Sequence, residues 1–154
     1  MDLRTALPLL LPKAVSWAED QATSGARIGR TLSKLEFALA REGGVKQPER
    51  IRVVQVEMLP MPEDPVLRAA AMQTGLLGPE MVGLTLGHSV FVCRSHETVR
   101  LLSHEFRHVH QYEQAGSIAA FLLSYFGQIV DVGYAAAPLE ADARAYERPE
   151  NRTA

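Results

Sequence analysis

The stretch LLSHEFRHVHQYEQAG, residues 101–116, packs three of the chain's five histidines into seven residues. Gly116 stops a predicted helix of about twenty residues whose start is expected at Ser95. Within it, His104-Glu105-Phe106-Arg107-His108 has the pattern H-E-x-x-H. Residues four apart on a helix differ by about 40° in azimuth, so the two imidazoles leave one face a turn apart and can share one tetrahedral Zn²⁺. Glu105 lies about 100° round from His104, beside a metal-activated water rather than among the ligands, and its expected role is general base. Val99, Leu102, Phe106 and Val109 gather on the opposite side as a core-facing stripe, so the histidines face a cleft or solvent. The competing reading is a solvated polar face of an amphipathic helix. His110 points about 160° from His108 and is expected to be a packed or surface histidine. Gln111 returns to the ligand face, where it can hydrogen-bond to a ligand or stay solvated.

A catalytic zinc usually takes three protein ligands and a water. The downstream carboxylates on offer are Glu113, Asp131, Glu140, Asp142 and Glu147. Glu140 stands out because Pro138 opens a new helix after a long apolar one, and an antiparallel return would carry its first turn back over the histidine helix. Asp142, two residues on and about 200° round, cannot face the same metal. An oxyanion partner is also needed, from Tyr134, Tyr125, Tyr112 or His88, with Tyr134 favoured because it shortly precedes the third-ligand helix.

Upstream, Pro12 suits a first helical turn, and Val15, Ala18, Ala22, Ile28, Leu32, Leu35 and Leu39 recur at helical spacing. Residues 12–41 therefore read as a helical arm, with a break expected near Ser24-Gly25 and an end at Gly43-Gly44. IRVVQVE reads as a strand, LPMPEDP as a loop, and Asp64 as the cap of a short helix beginning at Pro65. MVGLTLGHSVFVC reads as one long or two short strands, with bulges or bends at Gly83 and Gly87. Ser117 is expected to cap the helix after Gly116, and residues 149–154 to form a flexible tail.

At 154 residues, 47% hydrophobic and 22% charged, the chain suits one globular domain, 1–154, with a catalytic core over 50–148. A net charge of −2 and the absence of a basic cluster argue against nucleic acid as a partner. The single Cys93 allows no internal disulfide, which makes the cytoplasm the expected location. ALPLLLPKAV makes a poor signal peptide, and Gln128 and Asp131 interrupt the apolar run 118–137, so membrane association is not favoured.

HEFRHVHQYEQAG followed by YAAAPLEADARAYE resembles the zincin metallopeptidases of the gluzincin type, and more closely small bacterial zincin-like proteins with H-E-x-x-H-x-x-Q and P-x-E-x-x-A. The likeness covers about Gly83 to Glu147 and leaves the N-terminal arm aside. It implies an α+β fold, a short sheet on a mainly helical body with the H-E-x-x-H on a central helix. It also implies His104, His108 and Glu140 as zinc ligands, Glu105 as base, and a sheet edge that pairs with extended substrate. Gln111 and His88 would support this site from outside the ligand set. The expected function is a zinc-dependent hydrolase cleaving peptide or protein amides. The alternative is a non-catalytic zinc-bearing module that contacts a protein or membrane.

Overall fold

The computed structural model describes residues 2–78 and 80–149. Helix α1 spans Leu3–Ile28, α2 Lys34–Glu42, α3 Pro65–Gln73, α4 Val99–Ala115, α5 Ile118–Val132 and α6 Pro138–Ala145. Strands β1 (Arg52–Val56), β2 (Gly83–Leu86) and β3 (Ser89–Cys93) form one sheet in the order β1-β3-β2. β1 runs parallel to β3, and β2 pairs with β3 as a hairpin. The protein is thus α+β, with a small mixed sheet on a mainly helical body. Of the tail expected over 149–154, the part beyond Pro149 lies outside the described residues.

The sheet separates two apolar clusters because alternate side chains leave opposite faces. Val53, Val90 and Val92 meet Leu39, Leu102, Phe106 and Val109 of α2 and α4. Val54, Leu86 and Phe91 meet Ala14, Phe121, Tyr125 and Ile129 of α1 and α5. The stripe read on the H-E-x-x-H helix therefore docks on the sheet: Phe106 and Val109 are fully buried. Phe106→Ala would cost about 3–5 kcal/mol.

The arm differs from expectation in three ways. α1 starts at Leu3, not Pro12, capped by the Asp2 carboxylate, and it carries Pro8 and Pro12 inside it. Ala6, Leu10, Ala14 and Ala18, four residues apart, are all buried. Their packing against α5 offsets the lost backbone bonds, which an isolated helix could not do. No break occurs at Ser24-Gly25. Gly25 stays helical because the helix crosses β3 closely, and a Cβ there would sit 2.7 Å from Ser89 Oγ. The chain leaves the helix at Gly29, and Ser33 and Glu36 then form a capping box on α2. The predicted stripe also loses Ile28 and Leu35, which are exposed, while Leu32 and Leu39 are buried.

Further along, Asp64 caps α3 as expected, accepting from Val66 and Leu67 N–H. Gly87, at φ +65°, makes the hairpin turn, whereas Gly83 sits inside β2 without a bulge. Ser95 does not cap α4. It lies in a 3₁₀ turn, Arg94–His96, and Thr98 Oγ1 takes the Leu101 N–H instead. Gly116 ends α4 in the left-handed region, and Ser117 caps α5. α6 has no capping side chain of its own at Ala137. Gln128, from within the apolar α5, supplies it by accepting the Leu139 N–H at 2.9 Å. Among the described residues no single helix is long and apolar enough to cross a membrane. α4 and α5 pass that test only as a pair, bent by 113°.

Candidate metal centre

α4 presents His104 and His108 one turn apart, their ring centroids 5.0 Å from each other. α5 departs at the Gly116 turn, and α6 comes back against α4 with Glu140 in its first turn. Glu140 is 2% exposed. Its Oε1 lies 3.2 Å from His104 Nε2 and its Oε2 2.9 Å from His108 Nε2. The three side chains place one ligand atom each within 4.8 Å of one another. Glu140 does not form the surface ion pair with Arg144, four residues on, that helix spacing would allow: Arg144 donates to the Ala135 carbonyl instead.

The outer nitrogens of both rings are engaged. His104 Nδ1 donates to Glu147 Oε2 at 2.8 Å. His108 Nδ1 donates to Gln111 Oε1 at 2.7 Å, while Gln111 Nε2 donates to the Leu139 carbonyl and to Asp142 Oδ2, both at 2.9 Å. Because the Gln111 amide must use its nitrogen on those two acceptors, its oxygen can only accept, and this sets the proton on Nδ1 of His108. Both Nε2 atoms then face Glu140, the tautomer and orientation that a metal-ligating histidine needs. Tyr125 donates to Glu140 Oε2 at 2.6 Å.

Electrostatically the cluster is a proton trap. Burial works against a charged His104, but the hydrogen bond to Glu140, the charges of Glu105 and Glu140, and the Glu147 hydrogen bond outweigh it and raise its pKa to about 9. His108 is raised for similar reasons, against its own burial. Burial likewise opposes the charge on Glu140, yet the two imidazoles and Tyr125 hold it well below the usual carboxylate range.

Whether these donors suit a zinc ion is a matter of atom types and spacing. Two imidazole nitrogens and a carboxylate are a known catalytic donor set, and ligands about 2.0–2.1 Å from a tetrahedral ion stand roughly 3.3 Å apart. The N···O separations of 3.2 and 2.9 Å, one to each Glu140 oxygen, are close to that edge, and one ligand atom from each of the three residues lies within 4.8 Å of the others. The group fits.

Glu105 is 5% exposed and stands outside the triad. Thr85 Oγ1 donates to its Oε1 at 2.7 Å and to its carbonyl at 3.2 Å. A cleft joins Glu105 and the triad to an apolar lining that includes Trp17, Met81, Leu84, Phe126 and Tyr134. The helical arm, through Trp17, is therefore part of the cleft wall. The half-buried Tyr134 hydroxyl donates to Met81 Sδ at 3.6 Å. Burial, and then the charges of Glu140 and Glu105, raise its pKa above the ordinary tyrosine value. Tyr112 stacks on Phe121.

His88 is not at this site. Its Nε2 lies 3.0 Å from Glu113 Oε2, and the same carboxylate accepts the Lys46 and Gln47 N–H groups, which ties the hairpin turn to the loop after α2. The turn at Gly87 carries His88 to the far end of the hairpin, a reversal that strand alternation alone does not reveal. Of the other carboxylates, Asp131 pairs with Arg4 on the surface. Asp142 pairs with Arg107, which also stacks on Tyr146. His110 donates to the Gly44 carbonyl at 2.9 Å, a half-buried packing role. Sequence reasoning missed the Glu147 contact to His104, the Tyr125 contact to Glu140 and the Thr85 contact to Glu105. Only the last had a signal: in Gly83-Leu84-Thr85-Leu86 the alternation sets Gly83 and Thr85 on one face. Comparison with protein-family models, with curated proteins and with solved structures gave no match for this chain.

Proposed function

We propose that the chain is a zinc-dependent hydrolase that cleaves amide bonds in a peptide or protein, with His104, His108 and Glu140 holding the metal. The observation that carries this reading is the placement of a second carboxylate, Glu105, in the same cleft as the three ligands but bonded to Thr85 rather than to them. A purely structural zinc site fills its coordination with side chains and has no use for a free carboxylate beside it. Zinc, when bound, supplies Lewis acidity and brings the pKa of water towards neutrality. Glu105 takes the proton from the attacking water and returns it to the leaving amine. Tyr134, whose hydroxyl lines the cleft beside Met81 Sδ, is the donor assigned to a developing oxyanion.

The sheet edge supports an extended substrate. The Cys93 N–H donates to the Val82 carbonyl, and the register pairs Gly83 with Val92 and Thr85 with Val90. Bonded and non-bonded pairs alternate in an antiparallel ladder, so the backbone groups of Gly83 and Thr85 point away from β3. Among the described residues no strand pairs with that edge, and a peptide added there would pass along the cleft.

The test is metal content and cleavage of a mixed peptide library. Wild type is expected to carry about one zinc per chain, His104→Ala and His108→Ala to lose it, and Glu105→Gln to retain it while losing cleavage by about 10²-fold or more. Wild-type turnover in Glu105→Gln, or unchanged zinc in both histidine variants, would overturn the reading.

A further inference from the structure

We propose that Gly83 and Thr85 of β2 act together as the positioning device for Glu105, an assignment that rests on the reading of Glu105 as the base. Two carboxylate oxygens have to be given different tasks if one is to exchange protons with water. Thr85, 6% exposed, donates its hydroxyl to Oε1 at 2.7 Å and bridges to the Glu105 carbonyl, which pins the side chain to its own backbone. The other oxygen lies over the backbone of Gly83. A Cβ at that position would stand 2.8 Å from Oε2 and 3.1 Å from Cδ of Glu105. Gly83 has no positive φ to explain its choice, and the space its missing side chain leaves is the space Oε2 fills.

Strand periodicity makes the pair possible, since residues two apart on β2 face α4 together. The same two residues turn their backbone groups to the free sheet edge. Substrate pairing along that edge and the setting of the base are therefore carried by the same two residues. The hydroxyl acts through Glu105 and touches no reacting atom, so both residues are positioning residues.

The test uses Thr85→Val, Thr85→Ser and Gly83→Ala in the full chain. Thr85→Val is expected to lower kcat about tenfold, the worth of one hydrogen bond to a charged group, with KM and zinc affinity unchanged. Thr85→Ser restores the hydroxyl and most of the rate. Gly83→Ala meets side chains rather than backbone, the end of Glu105 and Leu101 Cδ1 at 3.0 Å, so its melting temperature stays near wild type while kcat falls. A second readout needs no turnover: thermal unfolding of the metal-free Thr85→Val, Glu105→Ala and double variants. The double variant is expected to melt above the sum of the two losses, because each single change strands the partner of the other. Additive losses would overturn the clamp even if hydrolysis is confirmed. A coupled pair in a protein that cleaves nothing would keep the clamp and remove the catalytic reading. Wild-type kcat in Thr85→Val with an active enzyme would also overturn it.

Discussion

Replacing Glu140 with glutamine keeps the shape of the side chain and removes the charge on which both imidazoles close. In the metal-free protein that charge is the first favourable contribution to the raised pKa of His104, from 6.5 to about 9. Such a rise corresponds to at most about 3 kcal/mol of folded-state stability. Glu105 and Glu147 remain to support the imidazolium, so the loss through His104 is smaller than that ceiling, and a loss through His108, whose pKa Glu140 also raises, adds to it. The sign follows from linkage: a raised folded pKa stabilises fully below 6.5, and the stabilisation fades as pH rises through about 9. The expected result for chelated protein at pH 6.5 is a melting temperature several degrees below wild type, up to roughly 10 °C for a chain of this size. Near pH 10 the gap should shrink, because the imidazoles are then neutral with or without the carboxylate. With zinc present, the same variant should lose more than about 100-fold in affinity, exceeding the usual loss from an outer partner. Thermal unfolding followed by circular dichroism and competition against a zinc chelator measure the two effects. A melting gap that is absent at pH 6.5, or equal at both pH values, would refute the pairing. Wild-type zinc affinity in the variant would refute Glu140 as a ligand.

Glu147→Gln and Gln111→Ala each remove the group that orients one histidine, at His104 Nδ1 and His108 Nδ1. They should lower zinc affinity about 10–100-fold without abolishing it, measured by the same competition. Asp131→Ala, whose side chain pairs with Arg4 on the surface, should leave zinc affinity at the wild-type value. Zinc must displace the proton held by His104 below about pH 9. Apparent affinity should therefore climb between pH 7 and 9 by up to about tenfold per pH unit for each proton released, then level off. A flat profile in calorimetry across several pH values would show that the site is not protonated when empty.

The pieces of this protein that depend on near neighbours were legible in its residues. H-E-x-x-H spacing, the opposed apolar stripe, the Gly116 stop, the Ser117 and Asp64 caps and the Pro138 start all follow from helix geometry and backbone chemistry within a few positions. What lay beyond that reach had to come from packing. α1 runs through two prolines because the stripe from Ala6 to Ala18 is buried against a helix more than a hundred residues away. α4 takes its cap from Thr98 rather than Ser95 because the chain leaving β3 turns once before the helix. His88 shares the hairpin with Thr85, yet the turn sends one to Glu113 and the other to Glu105. Sequence by itself determined which two histidines share a face, since that is a rotation about one axis. Only the tertiary structure decided that Glu140 closes on them, that Glu147 holds the outer nitrogen of His104, and that Thr85 holds Glu105. Each of those contacts joins separate elements, and the burial energy that brings the elements together is carried by apolar residues far from the site.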